Sequence, residues 1–210
     1  MIKKNLKLLI LTSLVILLPV LAGVILWNQL PEQIPTHWNA VGEVDGWSHK
    51  AFAVFGLPGI MLAIHWLCSL GTSADPKKEA HSEKVVQLVL WIAPLLCVVL
   101  MAITYATALG YEMPVERIMP VVLGFMFTVI GNYMPKCKQN YTIGIKIAWT
   151  LSSEENWNRT HRFAGWLWTA CGIAIMLVGF FGGFWVVLAM PLVMVIIPIL
   201  YSYLLYRRGI

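Results

Sequence analysis

Stretches free of Asp, Glu, Lys and Arg divide the chain into five apolar runs, Leu8–Pro31, Ala51–Ala74, Val85–Tyr111, Ile118–Pro135 and Phe163–Tyr206. The first four hold 18 to 27 residues and the last holds 44, twice what one membrane crossing needs. A helix spans the hydrocarbon core with about 20 residues. Gly182-Gly183 divides the long run into Phe163–Phe181 and Phe184–Tyr206, so the pattern predicts six transmembrane helices. No separate soluble domain fits between them. The fourth run is the shortest and begins beside Arg117, whose side chain has to snorkel to the membrane surface.

Composition agrees. The 210 residues are 59% apolar and 12% charged, against ~45–50% and ~25% in ordinary globular chains, which excludes a soluble protein. Lys3, Lys4 and Lys7 precede the first run as in a signal peptide, but the apolar stretch continues through Leu26 without a small-x-small cleavage pattern, so it reads as an anchor.

Placing the N-terminus in the cytoplasm puts thirteen Lys and Arg inside and only Lys50 and Arg117 outside. Positive residues collect on the cytoplasmic side of membrane proteins, so both termini are expected there. The basic balance then reflects topology and anionic lipid, with no direct binding of nucleic acid. Trp27 and Trp185 fall at outer helix ends, and Trp66, Trp91, Trp166, Tyr203 and Tyr206 near inner ones, as interfacial belts. Cys68, Cys97, Cys137 and Cys171 map to spans or the inner side, so no disulfide is implied.

Inside the spans, Pro19, Pro58, Pro94, Pro120, Pro191 and Pro198 kink helices whose freed carbonyls neighbours must satisfy. Gly165, Gly172 and Gly179 recur every seven residues on the fifth span, leaving a smooth face for close helix packing. Ionisable groups at bilayer depth are nearly absent. His65 is the one candidate, read as a neutral imidazole bonded to a neighbouring carbonyl, and Thr104, Thr107, Thr128 and Thr169 are expected to bond back to their own helices.

Two polar segments carry the remaining information. The outer one, NQLPEQIPTHWNAVGEVDGWSHK over residues 28–50, combines Pro31 and Pro35 with turn residues Gly42 and Asp45-Gly46. Trp38 and Trp47 give it apolar mass, so a hairpin-like cap over the helix ends is expected. His37, Glu43, Asp45 and His49 are the residue types that ligate zinc, although no HExxH or CxxC spacing is present. The inner segment, Tyr133–Arg162, follows Gly131-Asn132 and mixes basic, amide and aromatic residues. Ser152 with Glu155 has capping-box spacing, so the fifth helix should start near Ser153. From there to Phe181 it would measure ~43 Å, projecting at least two turns beyond the ~30 Å core. Trp157, His161 and Trp168 then share one face.

These two segments resemble the SdpI family of bacterial integral membrane immunity proteins. IPTHWNAVGEVDGWSHK is similar to the short domain of unknown function that opens many members, and GNYMPKCKQNYTIGIKIAWTLSSEENWNRTHRFAG to the family signature. The resemblance implies a non-enzymatic protein of the bacterial cytoplasmic membrane, without cofactor or metal. It would protect against a membrane-active peptide toxin and signal by retaining a transcriptional repressor at the membrane. Its outer motif falls on Pro35, His37, Trp38, Asn39, Gly42, Asp45, Gly46 and Lys50. Its inner motif falls on Gly131, Asn132, Pro135, Asn140, Gly144, Lys146, Trp149, Thr150, Trp157, Thr160, His161 and Gly165. Where members often read G-I-R-T-P-W, this chain has Gly144-Ile145-Lys146-Ile147-Ala148-Trp149.

The expected architecture is an all-α six-transmembrane-helix bundle with an ordered outer loop after the first helix and a basic cytoplasmic loop between the fourth and fifth. Residues 1–70 form the helix pair with the outer motif, and 71–210 the four-helix part with its signature at 131–165. The alternatives are a membrane metal-dependent hydrolase built on His37, Asp45 and His49, or a small-solute carrier using Asn132 and His65.

Overall fold

The computed structural model describes residues 2–181 and 184–210. Among these residues it is all-α apart from one hairpin, with six helices long and apolar enough to cross a membrane. These are α1 (Ile2–Ile25), α2 (Leu57–Ser73), α3 (Glu83–Ala108), α4 (Val115–Tyr133), α6 (Glu154–Phe180) and α7 (Phe184–Arg207), with a short α5 (Ala148–Ser152) ahead of α6. The Gly182-Gly183 break lies outside the described residues, as does the side chain of Trp185. The fourth span starts earlier than its charge-free run. Val115 opens α4, so Glu116 and Arg117 form its first turn, with the guanidinium Nε 3.6 Å from the carboxylate.

By contacts the chain falls into two units, residues 1–70 with 89–115 and residues 71–88 with 116–210. The first holds α1, the hairpin of β1 (Gln33–Trp38) and β2 (Val44–His49), α2 up to Leu70, and most of α3. Its core gathers Ile16, Leu30, Ile34, Ala53, Val54, Cys97, Met101 and Tyr105. The Tyr105 hydroxyl donates to the Pro19 carbonyl at 2.9 Å. Pro58 is accommodated by a π-helical turn, Phe52–Gly56, in which the Leu57 N–H reaches back five residues to Phe52. This wider turn sits next to the residue that has no N–H to give.

His65 is buried and its Nε2 lies 3.0 Å from the Thr12 hydroxyl, which itself reaches the Leu8 and Leu9 carbonyls at 2.9 and 3.0 Å. Its partner is therefore a hydroxyl, correcting the carbonyl expected from sequence. Thr107, Thr128 and Thr169 do bond back to the carbonyls four residues earlier.

In the second unit the glycine stripe of α6 meets a matching one on α4. A Cβ at Gly172 would stand 2.6 Å from the Gly124 carbonyl oxygen, and one at Gly165 would stand 2.7 Å from that of Gly131. A Cβ at Gly179 would strike Pro120. Only a hydrogen fits at these crossings, and the backbones come close enough for dispersion contacts along the whole face. Cys171, Ile175 and Met194 fill the space beside it, and the Trp168 indole donates to the Met194 carbonyl at 2.8 Å.

Candidate functional site

The outer segment folds as the expected hairpin. Pro35 pairs with Trp47, His37 with Gly46 and Trp38 with Val44, and the register slips on either side of His37. Asn39 builds the turn: its Oδ1 accepts from the Val41 and Glu43 N–H groups at 3.0 Å each, while its Nδ2 donates to the Glu43 carboxylate. Gly42 supplies the positive φ of +84° that closes it. A Cβ on Gly46 would lie 2.8 Å from the His37 Cβ, so this cross-strand position admits only glycine.

Lys50 fastens the hairpin. Its side chain is 8% exposed, and Nζ donates to the Leu30 and Trp27 carbonyls at 3.2 and 3.3 Å and pairs with Glu32 at 2.9 Å. It also lies over the Trp27 ring, 4.9 Å from the centroid. The hydrogen bond and charge of Lys50 hold the Glu32 carboxyl below its ordinary range. Lys50 and Pro35 are buried and Gly46 is enclosed by a neighbour, so these three motif residues shape the hairpin without presenting a surface. What the hairpin presents is Val41 at its tip, Trp47 at 56% exposure, and the His37–Asp45 pair, with Nδ1 and Oδ1 2.5 Å apart.

The four residues of zinc-ligating type, His37, Glu43, Asp45 and His49, are not brought to one point. His37 faces Asp45, whereas His49 faces Glu32 at 3.5 Å. Among the described residues no three His, Cys, Asp or Glu side chains converge on one point. Of the three residues in the hydrolase alternative, His37 and Asp45 lie together and His49 stands with Glu32 instead.

The inner segment is a loop wound around its own polar core. Asn140 is 1% exposed: its Nδ2 donates to the Lys138 and Ile143 carbonyls, and its Oδ1 accepts from the Thr142 and Ile143 N–H groups, all within 2.7 to 2.9 Å. Gly144 follows with φ +115°, and a Cβ there would meet His161 Nε2 at 2.4 Å. That nitrogen accepts the Ile145 N–H at 2.9 Å, while Nδ1 lies 2.9 Å from the Trp157 carbonyl. Both bonds together require the neutral tautomer protonated on Nδ1. Trp157 stacks on His161 at 4.0 Å between centroids and donates its indole N–H to the Cys137 carbonyl. Burial pushes the Cys137 thiol up to about 11, against the opposing bond from Asn140, so it stays protonated.

Thr150 accepts from the Ile147 N–H and donates to the Ile145 carbonyl at 2.7 Å, closing the start of α5. The cap of α6 is Ser153, one residue beyond the expected Ser152. Ser153 has the extended backbone that a cap needs and its hydroxyl accepts from the Asn156 N–H, whereas Ser152 is still helical within α5. On α6, Asn156 bonds Ser202 and Thr160, and donates to the Ile210 carbonyl. Trp149 packs on the rings of Tyr203 and Tyr206. Gly131, Pro135 and Gly165 form one close helix contact, and Asn132 lies exposed on α4. Asn140, Trp157, Thr160 and His161 are therefore buried, while Tyr141 and Lys146 face outward.

Sequence reading missed the latch of this loop. Asp75, in the connection from α2 to α3, is 2% exposed. Its Oδ1 accepts the Lys77 N–H at 2.7 Å, and its Oδ2 accepts the Tyr141 N–H at 2.9 Å and the Thr142 hydroxyl at 2.8 Å. His81 Nε2 stands 3.3 Å from the same oxygen. Burial alone would raise this carboxyl, yet the hydrogen bonds, with a smaller contribution from His81, hold it below its usual range. The separation of 66 residues hides the pairing in the sequence. The signal that was available is an acidic residue directly before Pro76 in the short connection from α2 to α3.

Both polar segments match known proteins. Residues 136–202 match the SdpI/YfhL protein family, and residues 14–62 match a domain of unknown function, DUF1648. The Immunity protein SdpI of Bacillus subtilis (strain 168) is 29% identical over 213 residues, covering 98% of this chain and 97% of that protein. No solved structure is significantly similar. Six membrane-length helices among the described residues, a hairpin after the first, a buried signature ahead of α6 and a relative aligned end to end agree: residues 136–202 are similar to the SdpI/YfhL protein family, and the chain over nearly its whole length to an immunity protein.

Proposed function

We propose that this protein is a non-enzymatic membrane immunity protein, which protects its cell from a membrane-active peptide toxin. The observation that carries the reading is the outer hairpin: a rigid frame, clamped by Lys50, that exposes Trp47 and Val41 where an apolar peptide would arrive. Exposed aromatic anchors on a preorganised frame are what tight peptide contacts use. The relative's name as an immunity protein points the same way.

In this reading the protein lies in the bacterial cytoplasmic membrane with both termini inside. Residues 1–70 present the toxin-facing motif and 71–210 the inner signature. The inner loop also offers a surface to a soluble transcriptional repressor, through its outward-facing Tyr141 and Lys146 rather than its buried motif residues.

The test is expression in a strain sensitive to toxin-containing supernatant of the source organism. Cells carrying the protein should survive and Trp47→Ala should lose protection at normal accumulation. No protection by the unaltered protein refutes the reading. Orientation is checked by labelling Val41→Cys from outside and Tyr141→Cys only after permeabilisation; the opposite pattern reverses every assignment of side.

A further inference from the structure

A groove of about 950 Å³ runs along the first turns of α6 and the facing side of α7. Its lining changes along its length. Asn158, Arg159 and Arg162 form one end, and Phe163, Trp166 and Tyr201 form the other. Phe163 stacks on Tyr201 at 4.6 Å, while Trp166 is 76% exposed, so an aromatic floor lies open. The change falls between Arg162 and Phe163, where the charge-free stretch of α6 begins, which sets the groove at headgroup depth.

The charges at the polar end do not cancel uniformly. Glu155 is taken by Arg159 at 2.6 Å, and Glu154 sits in the first turn of α6, where the helix dipole already favours a carboxylate. Arg162 has no polar partner among the described residues. A free guanidinium presents a planar fork matched to phosphate oxygens. A soluble anion would make no use of the aromatic floor, and a zwitterionic lipid would gain little from the unpaired charge.

We propose that this groove is a binding site for an anionic phospholipid, with its phosphate on Arg162 and an acyl chain along Phe163, Trp166 and Tyr201. Basic pockets between membrane helices hold anionic headgroups in this way.

The experiment titrates the full chain, in neutral detergent, with phosphatidylglycerol, phosphatidylcholine or inorganic phosphate, and counts bound lipid by native mass spectrometry. Phosphatidylglycerol should bind about five- to tenfold more tightly than phosphatidylcholine, as one interfacial cation would give. R162Q should erase that preference, R162K should keep it, and R208Q should leave it unchanged. W166A should weaken binding of phosphatidylglycerol. Equal binding of the two lipids, a preference that survives R162Q, or an equal loss in R208Q overturns the site. Displacement of phosphatidylglycerol by matched inorganic phosphate, with W166A silent, makes it a site for free anions and overturns the lipid assignment. Should R162Q fail to accumulate, W166A decides alone, and unchanged lipid binding refutes the proposal.

Discussion

Replacing Asp75 by Ala removes three hydrogen bonds that hold the inner loop: those from the Lys77 N–H, the Tyr141 N–H and the Thr142 hydroxyl. The Lys77 amide can turn to water. The Tyr141 N–H points into a space that Ala leaves empty, and the Thr142 hydroxyl keeps only long contacts to Asn140 Oδ1 at 3.4 Å and His81 Nε2 at 3.5 Å. A hydrogen bond to a charged group contributes about 1.5–3 kcal/mol, so losing those of Tyr141 and Thr142 costs about 3–6 kcal/mol together. Taking the lower bound, ~3 kcal/mol converts at about 1.4 kcal/mol per tenfold to roughly a 100-fold larger open population. Lys138 and Lys146 flank the loop and are exposed, so trypsin reads that population directly when opening is fast. Cleavage of the purified protein at these sites should accelerate roughly 100-fold in Asp75→Ala, and less in Asp75→Asn, which keeps one acceptor. The pH dependence follows from the lowered carboxyl. A depressed acid stabilises the fold fully above its ordinary value of about 4, and the contribution fades as pH falls from there through the lower folded value. The loop should be equally protected at pH 6 and 8 and loosen only under acid conditions. Cleavage of Asp75→Ala within about twofold of the unaltered protein would refute the latch.

Three further outcomes follow from single contacts. Ala148→Pro should raise the thermal midpoint by the equivalent of about 0.4–1 kcal/mol, because Ala148 is the first residue of α5 and Ile147, at φ −127° and ψ 163°, already has the backbone that precedes proline; a lower midpoint would mean that the Ala148 N–H has a partner in the folded loop. Gly172→Val should cost about 1–3 kcal/mol or more by forcing α4 and α6 apart, whereas Gly71→Ala, with nothing within 4 Å, should be neutral or stabilising; comparable midpoints for both would dismiss the glycine contact. Lys50→Met should speed amide exchange over 33–49 by removing the clamp on Glu32, Leu30 and Trp27, and unchanged exchange would show that the hairpin holds without it.

The spans were legible because lipid demands one thing of a sequence, a run of about 20 apolar residues without charge, and this chain supplies it repeatedly. The α6 glycine stripe was legible for a similar reason: a spacing of seven keeps three residues on one helix face, and the partner stripe on α4 only had to exist somewhere. The hairpin was readable from its prolines and turn residues, which act locally. What stayed hidden depends on distant pairing. Nothing near Asp75 announces Tyr141, nothing near Lys50 announces the carbonyls of Trp27 and Leu30, and the Thr12 hydroxyl that meets His65 lies 53 residues away. Capping was offset by one residue because both Ser152 and Ser153 offer a hydroxyl, and only the backbone decides which leaves the helix.

A motif read from sequence does not distinguish the residues that touch a partner from those that hold the surface in shape, and here the two sets separate physically. His161 illustrates the consequence. It stands in the inner signature with the residue type of a binding site, yet both ring nitrogens are engaged inside the loop, and its Nε2 is the acceptor of the Ile145 N–H. His161→Ala would orphan that amide and collapse the packing under Gly144, so any loss of function in it reports the loop and says nothing about contact. The same holds for Asn140 and Trp157 within the loop, and for Lys50 beneath the outer hairpin. Recognition has to be sought where burial ends. On the outer segment that means Val41 and Trp47, with the His37–Asp45 pair; on the inner one it means Tyr141 and Lys146, which are exposed although Lys77 lies over the Tyr141 ring and the Lys146 ammonium donates to the Thr142 carbonyl at 2.8 Å. A substitution there that abolishes protection at unchanged trypsin resistance is evidence of contact, and one in the buried set is not.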